Sequence, residues 1–251
     1  MSHARHATDA PAVVLVHGAF ADGSSWAGVI ERLQRRGVAT VAIPNPLRGI
    51  SADSAYVSSV LAQTPGPVVL VGHSYGGAVI SNAAAQADNV VGLVFVAAFA
   101  PDEGERLGEV EDGSKDSVLN SALVPLQYPT ADGGSAVEFA IDPAKAREAF
   151  AGDLSDEQAA LIAAVQRPVA QLAFTEPSGP PAWKGRPCWA VVATGDKAAG
   201  TDVVRSMAER AGATITEVDG SHVIMLSQPD VVAEVIMEAV AAVGAPVGAA
   251  G

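Results

Sequence analysis

Val68-Val69-Leu70-Val71 runs into Gly72-His73-Ser74-Tyr75-Gly76-Gly77 and on into Ala78-Val79-Ile80. An apolar, β-branched run that stops at G-x-S-x-G predicts a buried strand, a very tight turn and a helix, with the serine hydroxyl exposed at the turn. The backbone of Ser74 is expected to be strained there. Small residues suit that geometry: Gly72 and Gly76 leave room where strand and helix nearly touch, and Gly77 and Ala78 let the helix lie close on the sheet. The first N–H groups of such a helix also point at the serine, where they favour developing negative charge. A phosphate-binding glycine turn shares part of this pattern, so the rest of the chain must supply a base and an acid.

Outward from that turn, the apolar runs 12–16, 38–43, 68–71, 90–96, 188–193 and 214–218 read as six strands. They are continuous in Val, Ile and Leu rather than alternating, as a parallel sheet covered on both faces requires. Residues 26–36, 52–63, 75–86, 202–211 and 229–240 carry helical spacing between them. In the last of these Val231, Val232, Val235, Ile236, Ala239 and Val240 share a face, and Pro229 suits its first turn. Alternation of this kind predicts an α/β fold with a doubly wound, mainly parallel sheet. The interval 98–185 breaks the rhythm and reads as turns and helical segments without a strand. Asp142-Pro143 is expected to open one helix, and Ser155-Asp156-Glu157-Gln158 another. The expectation is a core of residues 1–97 and 186–251 with a helical cap, 98–185, inserted after the fourth strand and facing the substrate.

Composition narrows the possibilities. A chain of 251 residues, 49% hydrophobic, can bury one large α/β domain with an insertion. The net charge of −13 disfavours nucleic acid and anionic membranes as partners. One cysteine, Cys188, excludes an internal disulfide, and no Cys/His cluster suggests a metal. No apolar run approaches the roughly 18 residues of a membrane span, and residues 1–11 lack the apolar core of a secretory signal, so the cytoplasm is the expected location. His3 and His6 read as solvated, and residues 244–251 as frayed.

A nucleophilic serine needs a general base in reach and a third group to orient it. His222, in Val218-Asp219-Gly220-Ser221-His222 after the last strand, is the expected base. Asp196, in Ala193-Thr194-Gly195-Asp196-Lys197 after the fifth, is the expected acid, with Asp102, Asp202 and Asp219 as competitors. His17 and His73 read as structural neighbours of the site. For the oxyanion, the backbone N–H groups of Tyr75, after the nucleophile, and of Ala19, in the glycine turn Val16-His17-Gly18-Ala19-Phe20, are the expected donors, with Phe20 beside them.

These motifs, in this order, resemble the α/β-hydrolase superfamily over nearly the whole chain. His17-Gly18-Ala19-Phe20 with Ser25-Trp26, Gly72-His73-Ser74-Tyr75-Gly76-Gly77, and Ser221-His222-Val223-Ile224-Met225-Leu226-Ser227-Gln228-Pro229 are similar to the plant methyl-ester esterase and hydroxynitrile lyase group and to related small bacterial esterases. The resemblance implies cofactor-free cleavage of small esters. The lyase branch typically has threonine where this chain has Gly18 and lysine where it has Val223, so both positions favour the esterase branch. The loop after Asp196, Lys197-Ala198-Ala199-Gly200, lacks the proline often found there. The expectation is therefore a serine hydrolase of a small carboxylic ester with an apolar acyl or aryl part, monomeric or homodimeric. Phe99, Leu123, Leu126, Tyr128, Phe139, Phe150, Leu172 and Phe174 are candidate pocket liners. Lyases, C–C hydrolases, cofactor-free cyclases or oxygenases, and a non-catalytic ligand receptor are the alternatives on the same scaffold.

Overall fold

The computed structural model describes residues 10–244; His3, His6 and the tail expected to fray lie outside them, apart from Gly244. Along the chain run β1 (Ala12–Val16), α1 (Ala27–Arg35), β2 (Thr40–Ile43), α2 (Ile50–Ala62), β3 (Val68–His73), α3 (Tyr75–Ala83) and β4 (Val90–Val96). Then come α4 (Leu107–Asp112), β5 (Leu123–Pro129), β6 (Ser135–Ile141), α5 (Ala146–Ala149), α6 (Asp156–Val165), β7 (Val169–Ala170) and α7 (Leu172–Thr175). The chain closes with β8 (Cys188–Ala193), α8 (Thr201–Arg210), β9 (Thr214–Val218), α9 (Ile224–Ser227) and α10 (Pro229–Gly244).

Six strands form one parallel sheet in the order β2-β1-β3-β4-β8-β9. Every residue of β3 and of β8 is buried, which is why their sequences are apolar without alternation. Helices cover both faces; α10 turns Val232, Val235, Ile236 and Ala239 onto the sheet and begins at Pro229, whose missing N–H costs nothing in a first turn. Cys188 opens β8 as a small buried residue, and burial pushes its thiol up to about 12, which leaves it inert. Because the strands are parallel, the loops after β1, β3, β4, β8 and β9 all emerge at one edge of the sheet.

The interval between β4 and β8 differs from the sequence expectation. It carries a three-stranded antiparallel sheet, β5-β6-β7, alongside short helices. The turn Asp132-Gly133-Gly134 is the tip of the β5–β6 hairpin, with Gly133 at φ +83° and Thr130 N–H donating to Gly134 at 3.1 Å. The strands escape a pattern reading because β5 is an edge strand with Pro125 and Pro129 in it and is exposed along most of its length, so it shows no alternation of apolar and polar residues. Asp142 caps a turn by accepting from Ala144 N–H at 2.9 Å, and the helix begins only at Ala146. Ser155 and Gln158 do form a reciprocal capping box at the start of α6.

Candidate active site

At the end of β3 the backbone of Ser74 adopts φ +53°, ψ −124°, a conformation that L-residues rarely hold. Neighbouring backbones enforce it. A Cβ on Gly72 would sit 2.6 Å from Gly76 O, and one on Gly76 would sit 2.6 Å from Val16 O, so no side chain fits where β1, β3 and α3 converge. Ser74 O accepts from Gly77 N–H at 2.9 Å and from Phe99 N–H at 3.2 Å, which locks the turn to α3 and to the segment after β4. Tyr75 opens α3, so its N–H lacks an intrahelical partner.

The other candidate residues come to the same edge of the sheet. His222 Nδ1 and Asp196 Oδ2 are 2.8 Å apart, and both residues are 1% exposed. Asp196 Oδ1 accepts from the amides of Ala198 and Ala199 at 2.9 and 3.0 Å. The loop that lacks a proline thus offers two N–H donors to the carboxylate. Thr201 completes the hold: its hydroxyl donates to Ala193 O at 2.8 Å and accepts from Asp196 N–H at 3.1 Å. With Nδ1–H donating to a carboxylate, the Nε2 of neutral His222 carries the lone pair. Among the described residues no hydrogen bond joins Ser74 Oγ to His222 Nε2; such contacts are often loose before substrate draws them together.

The competing carboxylates are engaged elsewhere. Asp102 pairs with Lys184 at 2.5 Å on the surface. Asp202 accepts from Ser114 Oγ at 2.6 Å and Lys115 N–H at 2.9 Å, and Asp219 accepts from Thr194 Oγ1 at 3.4 Å.

The two remaining buried histidines hold the frame. His73 Nε2 donates to His222 O at 3.0 Å, and the two rings lie 4.7 Å apart. Burial, reinforced by the neighbouring His222, holds His73 well below the usual imidazole range, so it stays neutral. His17 accepts Asn45 N–H at Nε2 (2.9 Å) and so donates from Nδ1 to Gly18 O (2.9 Å), which pins the turn after β1. Burial lowers its pKa as well. That turn lies directly on the serine: a Cβ on Gly18 would be 2.7 Å from Ser74 Cβ. Ala19 and Phe20 follow, both buried, and Phe20 takes φ +59° to turn the backbone.

Residues 13–235 match the alpha/beta hydrolase family. The chain belongs to that family. Among solved structures this hydrolase is similar to a pyrethroid hydrolase from Sphingobium faniae, with 24% identity, 92% of this chain and 98% of the other covered, and a TM-score of 0.72. It is also similar to polyneuridine aldehyde esterase, with 21% identity, coverage of 91% and 98%, and a TM-score of 0.77. A methylesterase from Arabidopsis gives 19% identity, coverage of 92% and 99%, and a TM-score of 0.75. At these identities the likeness is one of fold. No curated protein sequence matches the hydrolase.

Phe150, from the segment between β4 and β8, places its ring 5.0 Å from that of His222 and edge-on to Phe20 at 6.1 Å. It separates two cavities of the hydrolase. An apolar one of about 280 Å³ is walled by Phe20, Phe150, Leu154, Ile162, Val223 and Leu226. A polar one of about 640 Å³ is lined by Arg147, Asp153, Lys197 and Ser221, and neither Ser74 nor His222 lines either cavity; the apolar one borders the site through Phe20, Phe150 and Val223. Of the aromatic and aliphatic residues expected as liners, only Phe150 reaches these walls; Phe139 and Phe174 pack on each other, and Leu126 and Leu172 are exposed. Asn45 and Thr201 carry no motif, and only their places just beyond β2 and β8 could have drawn attention. Among the described residues no three His, Cys, Asp or Glu side chains are placed to hold a metal, and no helix is long and apolar enough to cross a membrane.

Proposed function

We propose that the protein hydrolyses small, largely apolar carboxylic esters through an acyl-enzyme. Ser74 Oγ attacks the ester carbonyl carbon while His222 Nε2 takes its proton. The backbone N–H groups of Ala19 and Tyr75, with Phe20 beside them, receive the oxyanion. His222 then returns the proton to the departing alcohol oxygen. Water attacks the acyl-serine with His222 again as base, and the carboxylic acid leaves as Ser74 recovers its proton. Asp196 holds the Nδ1–H tautomer and stabilises the imidazolium without taking the proton. Residues 98–185 act as the cap over a core of 1–97 and 186–251.

The observation that carries this reading is the buried His222–Asp196 pair at 2.8 Å on the same sheet edge as a serine held at φ +53°. Its structural neighbours, an esterase, a methylesterase and a pyrethroid hydrolase, point the same way. Gly18 disfavours the lyase alternative, because even a Cβ there would collide with the elbow, and Val223 supplies an apolar wall where the lyase pattern has a charge. The test is labelling by a fluorophosphonate together with turnover of p-nitrophenyl esters of graded chain length. Wild type should label and hydrolyse, and Ser74→Ala should do neither. Labelling that survives Ser74→Ala, or labelling without hydrolysis of any ester, would overturn the assignment.

A further inference from the structure

Glu111, near the end of α4, is a buried carboxyl, 4% exposed, that the proposed reaction does not use. Its Oε1 lies 3.3 Å from Ser117 Oγ, and Ser117 Oγ lies 2.6 Å from Ala198 O. The next residue reinforces the contact, with Val118 N–H donating to Lys197 O at 2.8 Å. Ala198 and Ala199 are the residues whose amides hold Asp196 Oδ1. Residues 117–118 therefore grip, from the inserted segment, the loop that presents Asp196 to His222.

Proton counting fixes the state of this grip. Ser117 has one hydroxyl proton, and a carbonyl oxygen can only accept, so the contact to Ala198 O uses that proton. Glu111 can then bond to Ser117 Oγ only as a donor, with its carboxyl protonated. An ionised Glu111 is the stronger acceptor and would draw the Ser117 proton to itself, because hydrogen bonds to charged groups are about twice as strong as neutral ones. Ala198 O would be left unpartnered, and the loop would keep only the Val118–Lys197 backbone bond on that side.

We propose that Glu111 is a positioning residue for the Asp196–His222 pair: protonated, it lets Ser117 clamp the loop that holds Asp196, and ionised, it accepts the Ser117 hydroxyl hydrogen bond itself and so removes one of the two bonds that grip that loop. The inference rests on the catalytic reading given above. The charged groups around Glu111 are Glu109 and Asp112 on its own helix, Lys115 and Asp116 in the following turn, and Asp196, Lys197 and Asp202 across the loop, while α7, which packs against α4, carries none. Burial first, then Asp112 and Asp196, push the Glu111 carboxyl up to about 7, against a lowering by Ser117. The switch thus falls where it would affect the enzyme near neutrality.

The test follows kcat and KM for p-nitrophenyl acetate and, independently of turnover, the downfield proton resonance of His222 Nδ1–H, both against pH. Relative to Glu111→Gln, which shares the rise in rate from His222 acting as base, wild-type kcat and the resonance should decline together as pH rises through about 7. Glu111→Gln, whose amide donates to Ser117 Oγ at every pH, should keep both to about pH 9 with KM unchanged. Ser117→Ala should lower kcat about tenfold or more across the range, as a misplaced acid does. A wild-type resonance and kcat that hold steady to about pH 9, or a Glu111→Gln profile that superimposes on a declining wild type, would overturn the proposal. A Glu111-dependent resonance in a protein that hydrolyses no ester would support the clamp and refute the esterase reading instead.

Discussion

Gly18→Ala tests how tightly the turn after β1 is fitted to the serine. The added Cβ would sit 2.7 Å from Ser74 Cβ, 2.9 Å from His73 Nδ1 and 2.9 Å from His73 O. Carbon atoms pack at about 3.5–4.0 Å, so the turn and the elbow must part by roughly 1 Å. His17 and Asn45 pin one side and Gly72, Gly76 and Ser74 O the other, so little of that displacement can be absorbed elsewhere. Overpacking of this kind costs about 1–3 kcal/mol of stability. The displacement also moves Ser74 relative to the amides of Ala19 and Tyr75, and a misplacement of about 1 Å costs on the order of 100-fold in rate. That corresponds to about 2.7 kcal/mol of transition-state stabilisation. Urea unfolding measures the first quantity, and kcat/KM on p-nitrophenyl acetate measures the second. Gly18→Thr should be worse on both and should gain no mandelonitrile cleavage. A Gly18→Ala protein with wild-type midpoint and turnover would refute the argument that the two loops are in hard contact.

Asp196→Asn should keep the fold, since its side-chain oxygen can still accept from Ala198 and Ala199, yet lower kcat by about 10⁴-fold because the amide favours the wrong His222 tautomer; a loss under tenfold would reassign the acid. Phe150→Ala should remove the wall between the apolar and polar cavities, raise kcat/KM for bulky aryl esters relative to the acetate several-fold, and cost about 3–5 kcal/mol of stability. An unchanged ester preference would mean that Phe150 does not border the substrate. Glu111 should also tilt stability against pH: its carboxyl titrates at about 7 when folded and 4.5 when unfolded, so the folded chain holds the extra proton between those values. Its stabilising contribution is then complete below about pH 4.5 and is lost as pH rises through 7, by about 3 kcal/mol in all. Urea titrations at pH 5 and pH 8 should show this loss in wild type and not in Glu111→Gln, and equal losses in both would place the slope elsewhere.

Much of the architecture is legible because burial on both faces forces unbroken apolar runs in the inner strands β1, β3, β4 and β8, while the part-exposed edge strands β2 and β9 are legible from the regular alternation of strand and helix; all six became strands of the sheet. The edge hairpin of the inserted segment is not legible for the opposite reason. β5 is held by backbone pairing to β6, from Leu123↔Ile141 to Pro129↔Ser135, and leaves most of its side chains in water, so its composition records no face. The same contrast runs through the site. Gly72, Ser74 and Gly76 announce a strained turn because only small residues fit where three backbones meet.

By itself, the sequence determined the parallel sheet, the tight turn at Ser74 and the order of serine, aspartate and histidine, since each is a local demand written into a short run of residues. Only the tertiary structure decided which carboxylate meets the histidine. The place of Asp196 directly after the fifth strand favours it, but Asp102, Asp202 and Asp219 also follow strands or open helices, and position in the sequence does not exclude them. The loop amides of Ala198 and Ala199 turn Asp196 toward His222, while Lys184, Ser114 and Thr194 hold the other three away. Hydrogen bonds between residues distant in sequence leave no periodicity in either partner, and that is why the Ser117 grip on Ala198 and the Phe150 ring beside His222 appear only once the chain is folded.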